Sequence, residues 1–231
     1  MEKTTVFSGF SKDTIKFFDG LQKNNNRHWF EEHRGMYENS VLEPSKAFVK
    51  AMGARLRTIA PKIIAVPKVN KSLFRISRDA RFSLNKSPYK TFLGIYFWEG
   101  MRQRMECSGF YFHLEPPKMI LGVGVYVFSD RLLHQYRRAV IDTKMGKEIA
   151  KVIEQITRIK EGILGGQHYK RIPAGFDPSH PNARLLLHNG LHFGQEMDIP
   201  KELFSSQLVE YCFERYAPCA SLHRWLVKVL S

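Results

Sequence analysis

The stretch "GFYFHLEPPKMILGVGVYVF", residues 109–128, decides the fold class of this chain. Apolar side chains alternate with other residues along both of its halves, and this period of two is typical of β-strands with one buried face. Pro116 and Pro117 separate the two halves. Because strands joined by a short connection pair antiparallel, the stretch predicts a β-hairpin.

A third strand is predicted just before the hairpin, in "TFLGIYFW" (residues 91–98), and the three strands share two unlike faces. One face carries large apolar side chains: Leu93, Ile95, Phe97, Phe110, Phe112, Leu114, Leu121, Val123 and Val125. The other carries small and polar residues: Gly94, Tyr96, Tyr111, His113, Glu115, Gly122 and Gly124. Glycine weakens a strand unless another group approaches its backbone closely. The second face is therefore either the floor of a groove or the contact surface of a packed helix.

Helical periodicity surrounds these strands. Helices are predicted in six places: after Ser11, after Pro44, and over residues 27–39, 129–141, 143–160 and 205 onward. Two short β-like pieces are predicted at residues 169–172 and 191–196, and Gly165 and Gly166 are predicted to lie in a loop. Contiguous strands with helices before and after them predict an α+β fold: a central, mainly antiparallel sheet flanked by helices from the N-terminal, middle and C-terminal regions, in a single domain over residues 1–231.

Composition narrows the class of protein. The 231 residues are 43% hydrophobic, which is ample for a folded core. A formal net charge of +14 favours anionic partners, either small molecules or nucleic acid. The three cysteines form no disulfide or zinc-binding spacing, and we expect neither a secretory signal, a membrane span nor a membrane partner. The cytoplasm is the expected location, and the sequence leaves the oligomeric state open.

The charge is concentrated in one segment. Residues 68–104 contain nine lysines and arginines against two acids, Asp79 and Glu99. Within it, the loop over residues 76–90 is too irregular for a helix or a plain strand. Its cations either bind an anionic ligand, or are held by Asp79 in an ion pair that anchors the loop to the sheet, or simply face solvent.

These observations predict an anion-binding groove formed by the basic loop and the polar sheet face. Its candidate residues are Arg75, Arg78, Asp79, Arg81, Lys86, Tyr89, Lys90, Tyr96, His113 and Glu115. His113 or Tyr96 would transfer protons if the ligand is a substrate. One alternative is a nucleic-acid-binding protein that stacks bases on Tyr89, Phe82 and Trp98. Another is a structural or interaction module without catalysis, so the sequence does not decide whether the protein is an enzyme.

Several familiar motifs fail in their context. Ser83 and Lys86 have a Ser-x-x-Lys spacing, but Pro88 and the missing Lys-Thr-Gly strand exclude the acyl-enzyme class. The histidines of "HWFEEH" are five residues apart and cannot share a metal on a helix, and those of "HNGLH" are predicted to lie in a turn. Gly122-x-Gly124 lacks the rest of a dinucleotide fingerprint. We therefore expect no metal and no cofactor.

Three blocks resemble one family: "NNNRHWFEEHRGMYE", "RISRDARFSLNKSPYK" and "HPNARLLLHNGLHF". They resemble, in the same order, the conserved hypothetical proteins called domain of unknown function 2461, over nearly the whole chain. The resemblance implies no activity. It places these residues in the family's signature: Trp29, His33, Arg34, Arg78, Asp79, Arg81, Phe82, Ser83, Lys86, Pro88, Tyr89 and Lys90. Asn85 stands where the family commonly has an acidic residue.

Overall fold

A computed structural model describes residues 6–79, 81 and 84–230. Eight α-helices are described: α1 (Lys12–Lys23), α2 (Arg27–Glu32), α3 (Arg34–Met36), α4 (Glu43–Leu56), α5 (Asp130–Ile141), α6 (Thr143–Ile156), α7 (Leu208–Tyr216) and α8 (Ala220–Leu230). Five strands are described: β1 (Leu93–Glu99), β2 (Ser108–Glu115), β3 (Lys118–Val125), β4 (Gly162–Gln167) and β5 (His188–Asp198). The predicted α+β class is confirmed.

The strands form one antiparallel sheet in the order β1-β2-β3-β5-β4. The predicted division of faces is confirmed, because Ile95, Phe97, Phe110 and Phe112 belong to the main hydrophobic core, whereas Tyr96 and Tyr111 belong to a separate, smaller cluster. Helices pack on this apolar face. For example, Phe48 of α4 contacts the ring of Phe112, with ring centroids 5.0 Å apart. The small and polar side chains of β1, β2 and β3 therefore point to the opposite face.

The first helices follow their predicted start signals. Asn26 caps α2, since its side chain accepts a hydrogen bond from Trp29 N at 3.0 Å. The single helix predicted over residues 27–39 is divided, because α2 ends at Glu32, α3 is one turn, and a π-helical turn over Tyr37–Leu42 leads into α4. In this way the aromatic side chains of the first helices reach the core, where Phe17 and Phe30 are buried.

Three predictions in the second half are wrong. Residues 169–172 form no strand, and the strand before β5 lies at Gly162–Gln167 instead. Gly165 and Gly166 belong to this strand β4, where a bulge accommodates Gly166 at φ +98°. "HNGLH" is the start of β5 and not a turn. Its central Gly190 packs against the backbone of Tyr126, where a Cβ would lie 2.0 Å from the Tyr126 carbonyl oxygen. Close backbone packing, and not a turn, requires this glycine.

The described part of the chain contains no helix with the length and apolar character that crossing a membrane requires.

Candidate functional site

The basic loop leaves and rejoins the fold at one point beside β1. Arg78 N donates to Pro88 O and Lys90 N donates to Ile76 O, each at 2.8 Å. Just before the loop, Phe74 N donates to Gly94 O at 3.0 Å, which pairs this segment with the edge of β1. The two ends of the loop are therefore held together and against the sheet, and the residues at its base have fixed positions.

The turn between α1 and α2 holds the loop from the other side. The side-chain amide of Asn25 donates to Tyr89 O and accepts from Tyr89 N, both at 3.0 Å. The Tyr89 ring stacks on Phe30 with centroids 4.3 Å apart. Tyr89, a predicted ligand residue, is thus an anchor whose backbone and ring are both engaged.

A polar cavity of about 560 Å³ lies between the loop base, the end of β2 and this turn. Five of the predicted residues contribute to its walls: Arg78, Asp79, Tyr89, Lys90 and Glu115. Asn25, Thr91 and Phe92 also line it. The cavity therefore brings half of the predicted site together.

Lys90 is a half-buried cation whose pKa is affected by three arginines. Burial lowers the pKa of its ammonium group, and the positive charges of Arg75, Arg104 and Arg78 lower it further. Among the described residues, no carboxylate lies within 4.0 Å of Lys90 Nζ. A half-buried ammonium surrounded by like charges favours a bound anion, because an anion would offset this repulsion.

Asp79 and Arg81 form an ion pair inside the loop. Arg81 Nε and Nη2 donate to the two carboxylate oxygens of Asp79 at 2.9 and 2.7 Å. These bonds, followed by the charge of Arg75, lower the pKa of Asp79. Lys86 Nζ lies 3.4 Å from Arg81 O and is exposed. Arg81 and Lys86 thus lie toward the tip of the loop, outside the polar cavity.

A chain of hydrogen bonds runs along the polar face of β2. The Tyr111 hydroxyl lies 2.9 Å from His113 Nδ1, and His113 Nε2 lies 3.3 Å from Glu115 Oε2. The Thr91 hydroxyl donates to Glu115 Oε1 at 2.6 Å. An ionised Glu115 accepts from Nε2–H, so that Nδ1 accepts from Tyr111. This chain fixes the tautomer of His113 and holds the Tyr111 hydroxyl against the imidazole.

Burial sets the protonation states in this chain. It lowers the pKa of His113, against the opposing effect of Glu115, and raises the pKa of Tyr111 to about 12. At neutral pH the imidazole is therefore an uncharged acceptor beside an uncharged phenol. The Phe92 ring stacks on His113, with centroids 4.4 Å apart, and fixes the orientation of the imidazole.

A second cavity, of about 510 Å³, lies on the polar sheet face next to the first. Its floor includes Gly122 and Gly194, and its walls include Phe74, Tyr111 and His113. Helices α7 and α8 lie on the opposite, apolar face, where Tyr216 and His223 contact the ring of Phe110. Tyr126, at the rim of the second cavity, is 71% exposed. The groove interpretation is thus favoured over a packed helix.

The remaining predicted residues take other places. The buried Tyr96 hydroxyl has one proton, which is shared between the carbonyl oxygens of Cys107 and Gly124, at 2.8 and 3.0 Å. This links β1 to β3 and to the residue that precedes β2. Tyr111 is instead the tyrosine hydrogen-bonded to His113, and sequence reasoning missed it as a site residue although it placed it on the correct face. Asn25 was also missed, since nothing in the sequence connects it with Tyr89.

Two of the proposed base-stacking residues are engaged in the fold. Trp98 is buried at 8% exposure, and Tyr89 stacks on Phe30. Phe82, the third, and Ser83 of the Ser-x-x-Lys spacing lie outside the described residues.

A separate Ser–His–Glu arrangement is buried beneath the apolar face. His223 Nδ1 lies 3.1 Å from Ser108 Oγ, and Nε2 lies 3.5 Å from Glu99 Oε2. His223 and Ser108 are 0% and 1% exposed, so no substrate reaches this serine and the arrangement is structural. Within the described residues, no three His, Cys, Asp or Glu side chains gather in a way that could hold a metal ion.

Comparison with known families supplies the identification. The model of the family described as conserved hypothetical protein (DUF2461) matches residues 13–225. The chain belongs to this family. The match includes the helices that anchor the basic loop, the loop itself and the five-stranded sheet. A search of the curated proteins found no match to the chain.

Proposed function

We propose that this member of the DUF2461 family binds an anionic small molecule in a groove between the basic loop and the Gly/Tyr/His face of the sheet. The observation that carries the proposal is the position of Lys90. Its ammonium group is half-buried, the charges of three arginines disfavour its protonated form, and its cavity is accessible. Cations gathered at such a place repel one another in the unliganded fold, and they attract a phosphate or a carboxylate.

The hydrogen-bonded chain from Tyr111 to Glu115 supports a small molecule as the ligand. It ends next to the polar cavity, because Glu115 lines that cavity and His113 lines the neighbouring one. Convergent polar groups beside an apolar cavity are typical of small-molecule sites. Nucleic-acid binding is less well supported, because Tyr89 and Trp98, two of the three aromatic side chains proposed for stacking, are engaged in the fold.

A thermal-shift titration tests this function. Sodium phosphate is added against sodium chloride at matched ionic strength, so that general screening is equal in both series. A phosphate concentration of ten times Kd stabilises the folded chain by about 1.4 kcal/mol, and this raises Tm by roughly 4 °C. Equal Tm values in the two series at all concentrations, up to 50 mM phosphate, would contradict the proposal.

A salt series with a random-sequence single-stranded oligonucleotide separates the two kinds of partner. Nucleic-acid binding through the basic loop requires an affinity that falls steeply with salt. We expect weak binding that is lost near physiological salt, whereas the phosphate effect persists at constant ionic strength. Tight, steeply salt-dependent oligonucleotide binding without a phosphate effect would favour nucleic acid instead.

A further inference from the structure

The floor of the apolar cavity contains two glycines that the fold does not require. Gly122 and Gly194 are paired across β3 and β5. A Cβ at Gly122 would make ordinary contacts, the nearest at 3.5 Å, and a Cβ at Gly194 would have no described atom within 4 Å outside its chain neighbours. Neither glycine has the positive φ that disfavours other residues. Since glycine weakens a strand interior, their presence is explained by an occupant from outside that lies flat on the backbone.

The walls of this cavity suit a ring. The Phe74 and Tyr111 rings stand edge to face at one side, with centroids 6.0 Å apart, and Tyr126 and His192 lie at the other, 5.2 Å apart. Ile120 adds an aliphatic wall. The volume of about 510 Å³ is in the range of small-ligand sites. The space between these walls therefore accommodates a flat, apolar body.

The two cavities meet at Lys90 and His113. Lys90, in the wall of the polar cavity, has its Nζ 5.3 Å from the centroid of Phe74, in the wall of the apolar one. Phe74 lies over Gly94. Gly94 is two strands away from Gly122 and offset from it by two residues along the strand, so that their Cα atoms are roughly 10–12 Å apart. A phosphate ester of a two-ring aromatic group is of comparable length to this backbone separation.

We propose that the ligand is an amphipathic anion, in which a phosphate or carboxylate group at Lys90 is joined to a flat aromatic body on the Gly122–Gly194 floor. This inference rests on the proposed function, because the anionic group occupies the same cation cluster. It adds the chemical class of the rest of the ligand. Tyr111 and His113 lie between the two ends, beside the bond that joins the body to the anionic group.

Calorimetric titration with 2-naphthyl phosphate, inorganic phosphate and 2-naphthol tests the inference. Burial of a naphthalene ring makes the ester bind at least about tenfold more tightly than phosphate. Gly122→Leu fills the floor and removes this gain, while the affinity for inorganic phosphate changes less than about twofold. Gly194→Leu, whose side chain enters open space, gives the same result if Gly122→Leu does not fold.

Gly35→Leu is the matched control, because Gly35 is an exposed glycine of α3 whose Cβ would also meet open space. It leaves all three affinities unchanged. Equal affinities for the ester and for phosphate, with no effect of either groove variant, overturn the aromatic body and leave anion binding intact. If 2-naphthol binds as tightly as the ester, or if no probe binds, the inference and the proposed function both fail.

Discussion

The ammonium nitrogen of Lys90 lies 5.3 Å from the centroid of the Phe74 ring and thereby sits where a polar and an apolar cavity meet. The backbone of Lys90 is fixed at the base of the loop, because Lys90 N donates to Ile76 O. Burial and the charges of three arginines disfavour the protonated form of its ammonium group. An unfavourable charge at a fixed, accessible point is the pattern expected of a binding residue.

Lys90→Met should therefore stabilise the unliganded protein. Because burial and the arginines lower the pKa of Lys90, its charged form is disfavoured in the folded chain at every pH below that pKa. After allowance for solvent screening, removal of the charge raises Tm by about 2 °C in low salt, and by less in high salt. Scanning calorimetry at two salt concentrations measures this. A Tm that falls by several degrees would indicate a structural lysine.

Asn25→Ala should loosen the basic loop. The variant loses the two hydrogen bonds between the Asn25 side chain and the Tyr89 backbone, at a cost of about 1–2 kcal/mol in the free energy of unfolding. Amide exchange at Tyr89 and Lys90 becomes faster, and phosphate binds more weakly. In the control Asn24→Ala, only a bond to Gly20 O within the first helix is lost, so exchange in the loop is unchanged. Unaltered exchange in the Asn25 variant would contradict this anchor.

Glu115→Gln should lower the pKa of His113 below its value in the wild type. The Glu115 carboxylate raises this pKa through its hydrogen bond and charge, and only burial remains to act on the imidazole when that charge is removed. Nitrogen-15 NMR titration of labelled histidine measures the change, with His113→Gln for assignment. Glu196→Gln removes an exposed carboxylate on β5 and serves as the control. An unchanged or higher pKa would show that the His113–Glu115 bond is absent in solution.

Acid should destabilise the protein through its buried histidines. Burial lowers the pKa of His223 from 6.5 to about 4, and it lowers the pKa of His113, His188 and His192 in the same direction. Between the pKa of 6.5 in the unfolded chain and the lower pKa in the folded chain, the unfolded chain binds more protons. The free energy of unfolding therefore falls as pH falls from 6.5 toward 4. His223 alone contributes on the order of 3 kcal/mol to this loss.

Urea denaturation at pH 7.0 and pH 4.5 measures this effect. In His223→Gln a non-titrating amide replaces the imidazole, and the loss of stability between the two pH values becomes smaller. His134→Gln removes an exposed histidine and leaves the loss unchanged. The same pH dependence in the wild type and in His223→Gln would rule out His223 as its source.

The central sheet could be predicted from the sequence because its signal is local. Alternation in residues 91–98 and 109–125 specifies which side chains share a face, and Phe112 and His113 lie on opposite faces as predicted. The end of the sheet was less predictable. Gly165, Gly166 and Gly190 resemble turn residues, yet the first two lie in β4 and the third in β5, where neighbouring groups approach their backbones closely.

The candidate site was predictable only in part, because its parts come from distant segments. The density of cations in the loop identifies Arg78 and Lys90 without knowledge of the fold. The contact of Asn25 with Tyr89 spans 64 residues and leaves no sequence pattern. Alternation places Tyr96 and Tyr111 on the same face of the sheet and does not distinguish their roles. The hydroxyl of Tyr96 is buried in hydrogen bonds, whereas Tyr111 lines a cavity, and this difference depends on how the loops pack.

Calorimetric titration of phosphate into Lys90→Met and Lys151→Met tests the central claim most directly. The two variants have the same net charge, but Lys151 is an exposed residue of α6, on the helical side of the molecule. We expect Lys90→Met to weaken phosphate binding at least about tenfold, which is the loss of one charge-assisted contact, whereas Lys151→Met binds like the wild type. Equal affinities in the two variants would contradict anion binding at Lys90.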